Sequence, residues 1–600
     1  MTTDSVQTTQ RHLAGAAIAA VAALVYVNSL GNGLVWDDPI VLNRQLLAFK
    51  TVRDVIFTPR DIPQYAPDYY RPLTTLSYLV DHAIAGSAAW MFHLSVVLFH
   101  VAATYLVFRL GLLLFARTRM RLLAAGIGAA VFAVHPIHTE SVAWGAGRSD
   151  VLACVFGLAA MVVYLSDAAL SWQRTALAAV LAFLAVCAKE TAFALLVMLF
   201  GTNLLLGRQV TTSAPLPARR GERRRQRQPA SPRTSHAWHY VPFVAATLLY
   251  VGLRHLTLGA GFGQSKELDA DVPLQVLGAV GLYLGKLVLP IRQSAYISDL
   301  PQSAVALAAT ALVLLAVAAA GVWSWRRGEP PLTFLLVWTA LTLAPSLTII
   351  AKIPAAPVAE RYLYLPSVGF CLLVGYGAAQ LLGRAPAPTT QVACSVLIGA
   401  LLFAGAVATV RRNAVWRSNL TLWEDTAAKN TTDGLPMRSL GVTYLELGDP
   451  VKATDYLQQA LHRRNDAIGR FTIYNNLGSI AMQRQQLTEA EQFYRKAQAI
   501  DPHAPDCLYN LGLINLTRAL ATDSEHDAEW KRVQADQARQ LFQQAVQLSP
   551  LDPEIQVALG QAQSALGDAA AARAAYQRSL QLGLPPALQT SVQQKLTALQ

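Results

Sequence analysis

Two adjacent aspartates, Asp37 and Asp38, follow the first long apolar run in the stretch LVWDDPIVLNRQ. A carboxylate within hydrogen-bond reach of an alcohol can take its proton as the oxygen attacks. Held at the level of lipid head groups, the pair suits a reaction between a lipid-phosphate donor and a water-side acceptor. A plainer reading makes Trp36 an interface anchor and the aspartates a helix start. Other ionisable side chains cluster at the ends of apolar runs. HPIHTESVAWGAGRSD carries His135, His138, Glu140, Arg148 and Asp150; Lys189 and Glu190 form a charged pair between two runs; AERYLYLPS supplies Glu360 and Arg361. Such residues are costly at membrane depth and tend to mark sites or pathways, and their convergence carries the argument. His93 and His100 share one helical face and read as packing or interhelical hydrogen bonding. The spacing of His135, His138 and Glu140 does not match a zinc-binding helix, so no metal is assigned.

The elements that must position these groups are apolar. Of the 600 residues, 53% are hydrophobic and 14% charged, too apolar for an average soluble chain. The expected division is a membrane domain over 1–412 and a polar, helix-favouring domain over 413–600. About eleven spans are expected, over 13–30, 92–115, 122–134, 151–170, 176–188, 193–206, 240–258, 304–325, 332–350, 368–382 and 392–410; the run 272–289 is ambiguous. The first run reads as a signal anchor, having no clear cleavage site. Residues 31–89 form a first external loop, within which APDYYRPLTTLSYLVDHAIAG, containing Arg71, alternates like an interfacial helix. The net charge of +12 sits largely in the Arg-rich loop 208–237, a cytoplasmic connection under the positive-inside rule rather than a nucleic-acid surface. An odd number of spans puts the C-terminal domain outside, although Arg411, Arg412 and Arg417 argue locally the other way. Five scattered cysteines offer no disulfide framework.

Beyond Trp416 the chain repeats itself. Leu-Gly recurs at Leu440-Gly441, Leu477-Gly478, Leu511-Gly512 and Leu559-Gly560. Small residues follow each pair: Ala453 and Ala460, Ala490 and Ala497, Ala538 and Ala545, Ala572 and Ser579. These offsets predict about four tetratricopeptide repeats (TPRs), the third interrupted by an insertion around Asp523 to Gln534. Stacked helical hairpins bind peptides or proteins, so chemistry is sought in the membrane half.

WDD after the first span, YYRPL before the second, HPIHTESVAWGAGRSD, CAKE and AERYLYLPSVGF, followed by TPRs, resemble the transmembrane-and-TPR protein O-mannosyltransferases and their bacterial relatives, within the GT-C glycosyltransferase superfamily. The resemblance implies an all-α fold, a polytopic GT-C-type helical bundle followed by a TPR α-solenoid. It also implies a lipid-phosphate-linked sugar donor with mannose as the sugar, a Ser or Thr acceptor in a protein, and an acidic residue of the first external loop as base. That last role carries over to Asp37 or Asp38. The chain departs from the eukaryotic members in its few repeats and in the Arg-rich insertion. On this reading a single displacement inverts the anomeric centre. Arg71, Arg148 and Arg361 are the candidates for matching the charge of the departing phosphate, with His135, His138, Glu140, Lys189, Glu190 and Glu360 in support. No cofactor is required, and the second aspartate either orients the acceptor or binds a divalent ion. The expected partners are the lipid-linked donor, acceptor proteins and a protein or peptide on the TPRs. The expected place is a bacterial inner membrane, with the TPR domain on the periplasmic side.

Two rival readings stand beside this one. An oligosaccharide ligase or polymerase would use a polyprenyl diphosphate donor and transfer a chain rather than one sugar. A non-catalytic scaffold would present the TPRs and tolerate replacement of both aspartates. A transporter fits less well, because the ionisable residues sit at span ends rather than in paired mid-membrane positions.

Overall fold

Long apolar runs can satisfy their backbone polar groups in a membrane as helices, and these runs form helices. The computed structural model describes residues 3–49, 51–58, 69–166, 171–206, 236–259, 271–352, 358–521 and 528–599. Most of the expected Arg-rich loop (208–235) and part of the first external loop (59–68) lie outside the described residues. Among the described residues there is no strand, only two isolated bridges. The contacts divide the chain into two compact units, Met1–Lys429 and Asn430–Gln600.

The first unit opens with α1 (Thr3–Tyr26), α2 (Pro72–Ala85), α3 (Ala89–Leu114) and α4 (Arg121–Val134). A short α5 (Thr139–Ala143) leads into α6 (Arg148–Leu165), α7 (Trp172–Ala188), α8 (Phe193–Leu205) and α9 (Val241–Leu258). Next come α10 (Val272–Val288), α11 (Ala304–Arg327), α12 (Pro330–Leu347), α13 (Pro366–Arg384), α14 (Pro388–Val415) and α15 (Asn419–Lys429). Eight helices among the described residues are long and apolar enough to cross a membrane, and nine if the pair bent by 48° at His135 counts as one span. Two of the eleven expected spans, α7 and α8, are 17 and 13 residues long, short for a bilayer core that takes about 20 residues.

Burial sorts these helices. Residues of α3, α4, α6 and α13 supply the central core, among them Val107, Phe108, Ala129, Phe132, Leu158, Met161, Cys371 and Leu372. By contrast, only 6% of the apolar stretch of α11, and of α14, is buried. Leu312, Leu315 and Phe403 are about two-thirds or more exposed. An apolar surface this extensive needs an apolar solvent, and the unit reads as a membrane domain. In the core, α4 and α13 touch backbone to backbone at Gly128 and Gly375: a Cβ on Gly375 would stand 2.7 Å from Gly128 Cα. Small residues permit this approach, from which packing in an apolar solvent draws its attraction.

Among the described residues, the second unit forms four helical hairpins and a final helix: α16 (Leu435–Glu446) with α17 (Pro450–Leu461), α18 (Ala467–Gln483) with α19 (Leu487–Ile500), α20 (Pro505–Ala521) with α21 (Ala528–Leu548), α22 (Pro553–Ala565) with α23 (Ala569–Leu582), then α24 (Pro586–Ala598). Asp449, Asp466, Asp552 and Asp568 cap four of these helices through side-chain oxygens. The recurring glycines mark helix crossings: a Cβ would meet Leu457 at Gly441, Tyr494 at Gly478, Phe542 at Gly512 and Tyr576 at Gly560, each within 2.7 Å. The small residues at the repeat offsets, Ala453 through Ser579, are fully buried. Of the expected insertion, 523–527 lie outside the described residues, and the remainder lengthens α21 to 21 residues.

Candidate active site

The loop after α1 turns on one strained residue. Trp36 has φ 56°, a left-handed conformation unfavourable for a bulky side chain. Its N–H donates to Asn419 Oδ1 at 2.8 Å. Its ring stacks on Trp144 with centroids 5.1 Å apart and meets Trp423 edge-on at 5.3 Å. Trp36 is therefore packed into an aromatic cluster, not merely resting at an interface. The turn it makes presents the two carboxylates. Asp37 O accepts from Ile40 N and Val41 N, and a π-helical turn runs over Pro39–Gln45, an uncommon geometry that recurs at functional sites.

The aspartates differ. Asp38 is fully buried, and its Oδ1 accepts from Ala146 N at 2.7 Å while Oδ2 accepts from Val35 N at 3.2 Å. Gly145 lies against it: a Cβ there would stand 3.0 Å from Asp38 Oδ1. Tyr78 OH donates to Gly145 O at 3.0 Å. WDD is thus clasped by WGAG. Burial pushes the Asp38 carboxyl up to about 7, with the N–H groups of Val35, Ala146 and Gly145 pulling the other way and the Asp37 charge adding to the rise. Asp37 is only half-buried.

Three ion pairs gather nearby. Arg71 grips Glu190 through Nε at 2.9 Å and Nη2 at 2.5 Å. Lys189 Nζ donates to both oxygens of Asp150 at 2.7 and 2.6 Å. Arg361 pairs with Glu140, which also accepts from Arg361 N at 3.0 Å. Tyr362 joins the last two pairs, with Lys189 5.2 Å and Arg361 4.9 Å from its ring centre. Burial, with Arg71 and Arg361 close by, draws the Lys189 ammonium below the usual lysine range although Asp150 favours its charge. The Arg361 guanidinium also lies over Trp144, 5.4 Å from its ring centre. Trp144 stacks on Trp36, so one indole links the cation cluster to the Asp37–Asp38 turn. Arg71 and Arg361 keep 25% and 22% of their side chains exposed, and each guanidinium has N–H donors beyond those its carboxylate occupies.

The sequence reading is corrected in two respects. Lys189 and Glu190 do not pair with each other but with Asp150 and Arg71. Arg148, expected beside the phosphate, is fully buried: it pairs with Asp81 at 2.5 Å and donates to Ser95 Oγ and Phe92 O at 2.7 Å. It holds α2, α3 and α6 together and offers no open face. His135 and His138 sit at the bend after α4, His135 Nε2 2.9 Å from Leu287 O and His138 Nε2 2.8 Å from Ser367 Oγ. Glu360 is buried against Lys286 at 2.6 Å. Asp81 and Lys286 were missed. A lone lysine in the apolar run 272–289 was the available signal, since a cation there demands a carboxylate partner.

Comparison with known proteins bears on this geometry. Tetratricopeptide repeat models match residues 438–505 and 530–594. A Mus musculus protein named protein O-mannosyl-transferase TMTC3 is 25% identical over 94% of this chain and 63% of its own length. The chain is a homologue of the TMTC proteins. A Drosophila melanogaster relative, protein O-mannosyl-transferase Tmtc3, is 26% identical over 90% of this chain and 64% of its own length. Tmtc1 of the same organism is 35% identical, over 31% of this chain and 22% of its own length. The chain thus spans a little under two thirds of the TMTC3-type relatives it matches.

Proposed function

We propose that the chain transfers a sugar, mannose, from a polyprenyl-phosphate carrier to a Ser or Thr hydroxyl of a protein on the non-cytoplasmic side of the membrane. The observation that supports this reading is the joining, through Trp144, of a half-buried carboxylate to a cluster with two part-exposed guanidiniums, all on turns between apolar helices. The names of the homologues point to mannose and to protein acceptors.

Asp37 acts as the base in this proposal and Asp38 positions it. Both Asp38 oxygens are occupied by backbone N–H groups and its carboxylate has no open face. Asp37 takes the hydroxyl proton as the acceptor oxygen bonds to the anomeric carbon; the bond from that carbon to the phosphate oxygen breaks, and the polyprenyl phosphate departs. One displacement inverts the centre. Arg71 and Arg361, oriented by Glu190 and Glu140, face the charge that develops on the leaving phosphate. The TPR unit recruits the acceptor or a partner protein.

The test uses purified full-length chain, polyprenyl-phosphate mannose and a Ser/Thr-rich peptide, with the product read by mass spectrometry. Asp37→Asn is expected to insert and fold as the parent does while losing transfer by about a hundredfold or more. Undiminished transfer by Asp37→Asn would remove the proposed base. A chain of sugars on the peptide, requiring a diphosphate donor, would replace the proposal with an oligosaccharide ligase.

A further inference from the structure

At the end of the membrane unit remote from Asp37, a cavity of about 200 Å³ opens between the start of α1, the end of α3 and the first residue of α4. Three guanidiniums and an imidazole line it, those of Arg11, Arg109, Arg121 and His12, and among the described residues no Asp or Glu does. Arg11 and Arg121 are close enough for one charge to act on the other. Arg121 is fixed by its Nε donating to Leu112 O at 2.6 Å, which leaves its other N–H groups free to turn to the cavity. Arg109 donates to Tyr105 OH at 3.3 Å. The rest of the wall is apolar, with Tyr105 and Phe108 prominent, and both rings are packed against α1 at Gly15. Like charges brought together at a helix boundary without a carboxylate need an anion to balance them. The position is that of a head-group layer, one apolar helix length along α1 from the active-site turn.

We propose that this cavity binds the phosphate of an anionic phospholipid, with Arg11 and Arg121 on the phosphate, Arg109 at its rim, and the Tyr105–Phe108 wall against the glycerol and upper acyl chain. The surroundings favour a lipid over free phosphate, because the cavity joins a charged end to an apolar wall where a lipid presents the same two chemistries. The site is separate from the sugar-transfer site, and its ligand is retained rather than consumed.

Full-length chain purified in mild detergent is titrated with phosphatidylglycerol, phosphatidylcholine or inorganic phosphate, with adducts counted by native mass spectrometry and stability read by thermal shift. Phosphatidylglycerol is expected to bind and stabilise the chain, and the other two to do neither. The double variant Arg11→Gln/Arg121→Gln is expected to bind phosphatidylglycerol about thirtyfold more weakly, and the single exposed-residue variant Arg109→Gln about fivefold. The single variant carries the test should the double variant fail to fold. Unchanged phosphatidylglycerol binding in the variants overturns the site. Equal stabilisation by inorganic phosphate, or equal binding of phosphatidylcholine, overturns the assignment to an anionic lipid.

Discussion

Replacing Asp38 with Asn separates the positioning role of this carboxylate from its cost to the fold. Burial raises the Asp38 carboxyl from 3.8 to about 7, so the folded chain holds that proton more tightly than the unfolded chain does. The sign follows: the Asp38 contribution is fully present below about pH 4 and is lost as pH rises to about 7. Three pH units correspond to about 4 kcal/mol, of which about 3 kcal/mol falls between about pH 5 and about pH 8. Asn cannot ionise and escapes this loss. It carries a separate cost, since its amide N–H₂ would face the Val35 N–H that Oδ2 now accepts from, but that cost does not vary with pH. The slope isolates the effect. Thermal unfolding of detergent-solubilised parent and Asp38→Asn across this range should therefore show the Asn variant gaining on the parent as pH rises, by on the order of 5 °C. The same variant should lower transfer while flattening any rise or fall of activity near pH 7. A difference in unfolding temperature that stays constant from about pH 5 to about pH 8 would refute the reasoning, because it would mean that Asp38 is not held protonated by burial.

Arg361→Lys should lower kcat by about a hundredfold and raise KM for the lipid-linked donor, because an ammonium cannot meet Glu140 and a phosphate with the guanidinium's planar donors; steady-state kinetics at varied donor would expose an unaffected enzyme. Arg148→Met should destabilise the membrane unit by about 3–5 kcal/mol, leaving Asp81 buried and unpaired, and adding Asp81→Leu should return much of that loss, as read by unfolding of the two variants side by side. Gly478→Ala should weaken the second unit by about 1–3 kcal/mol, since the new methyl would stand 2.7 Å from the Tyr494 ring; faster proteolytic cutting within the repeats of the full chain, with the membrane unit unaffected, is the expected signature.

What could be read from the sequence and what could not separates along a physical line. The two-part architecture was legible because it rests on local composition: apolar runs such as 304–325 form α11, and the Leu-Gly pairs recur because Gly441, Gly478, Gly512 and Gly560 each admit a large side chain from the next helix. The gathering of HPIHTESVAWGAGRSD, Lys189-Glu190 and AERYLYLPS was legible too, since ionisable groups at span ends have few places to go. Pairing was not. Lys189 and Glu190 are neighbours, as are Glu360 and Arg361, and Arg148 stands two residues from Asp150; each set looks self-neutralising. Lys189 is extended (φ −157°, ψ 134°), and successive side chains on an extended backbone point to opposite faces. One charge of the pair therefore meets Asp150 while the other meets Arg71. Glu360 and Arg361, on a 3₁₀ turn, also part, toward Lys286 and Glu140. Because each neighbour is satisfied by a different element, the charges that sequence places side by side tie α5, α6, α10 and the turns before α2, α8 and α13 to one another. Asp37 and Asp38 also looked equivalent and are not. Adjacent residues at a turn face different ways, and the strained backbone of Trp36 directs one carboxylate into the WGAG clasp and leaves the other half-open, the division of labour that base and support require.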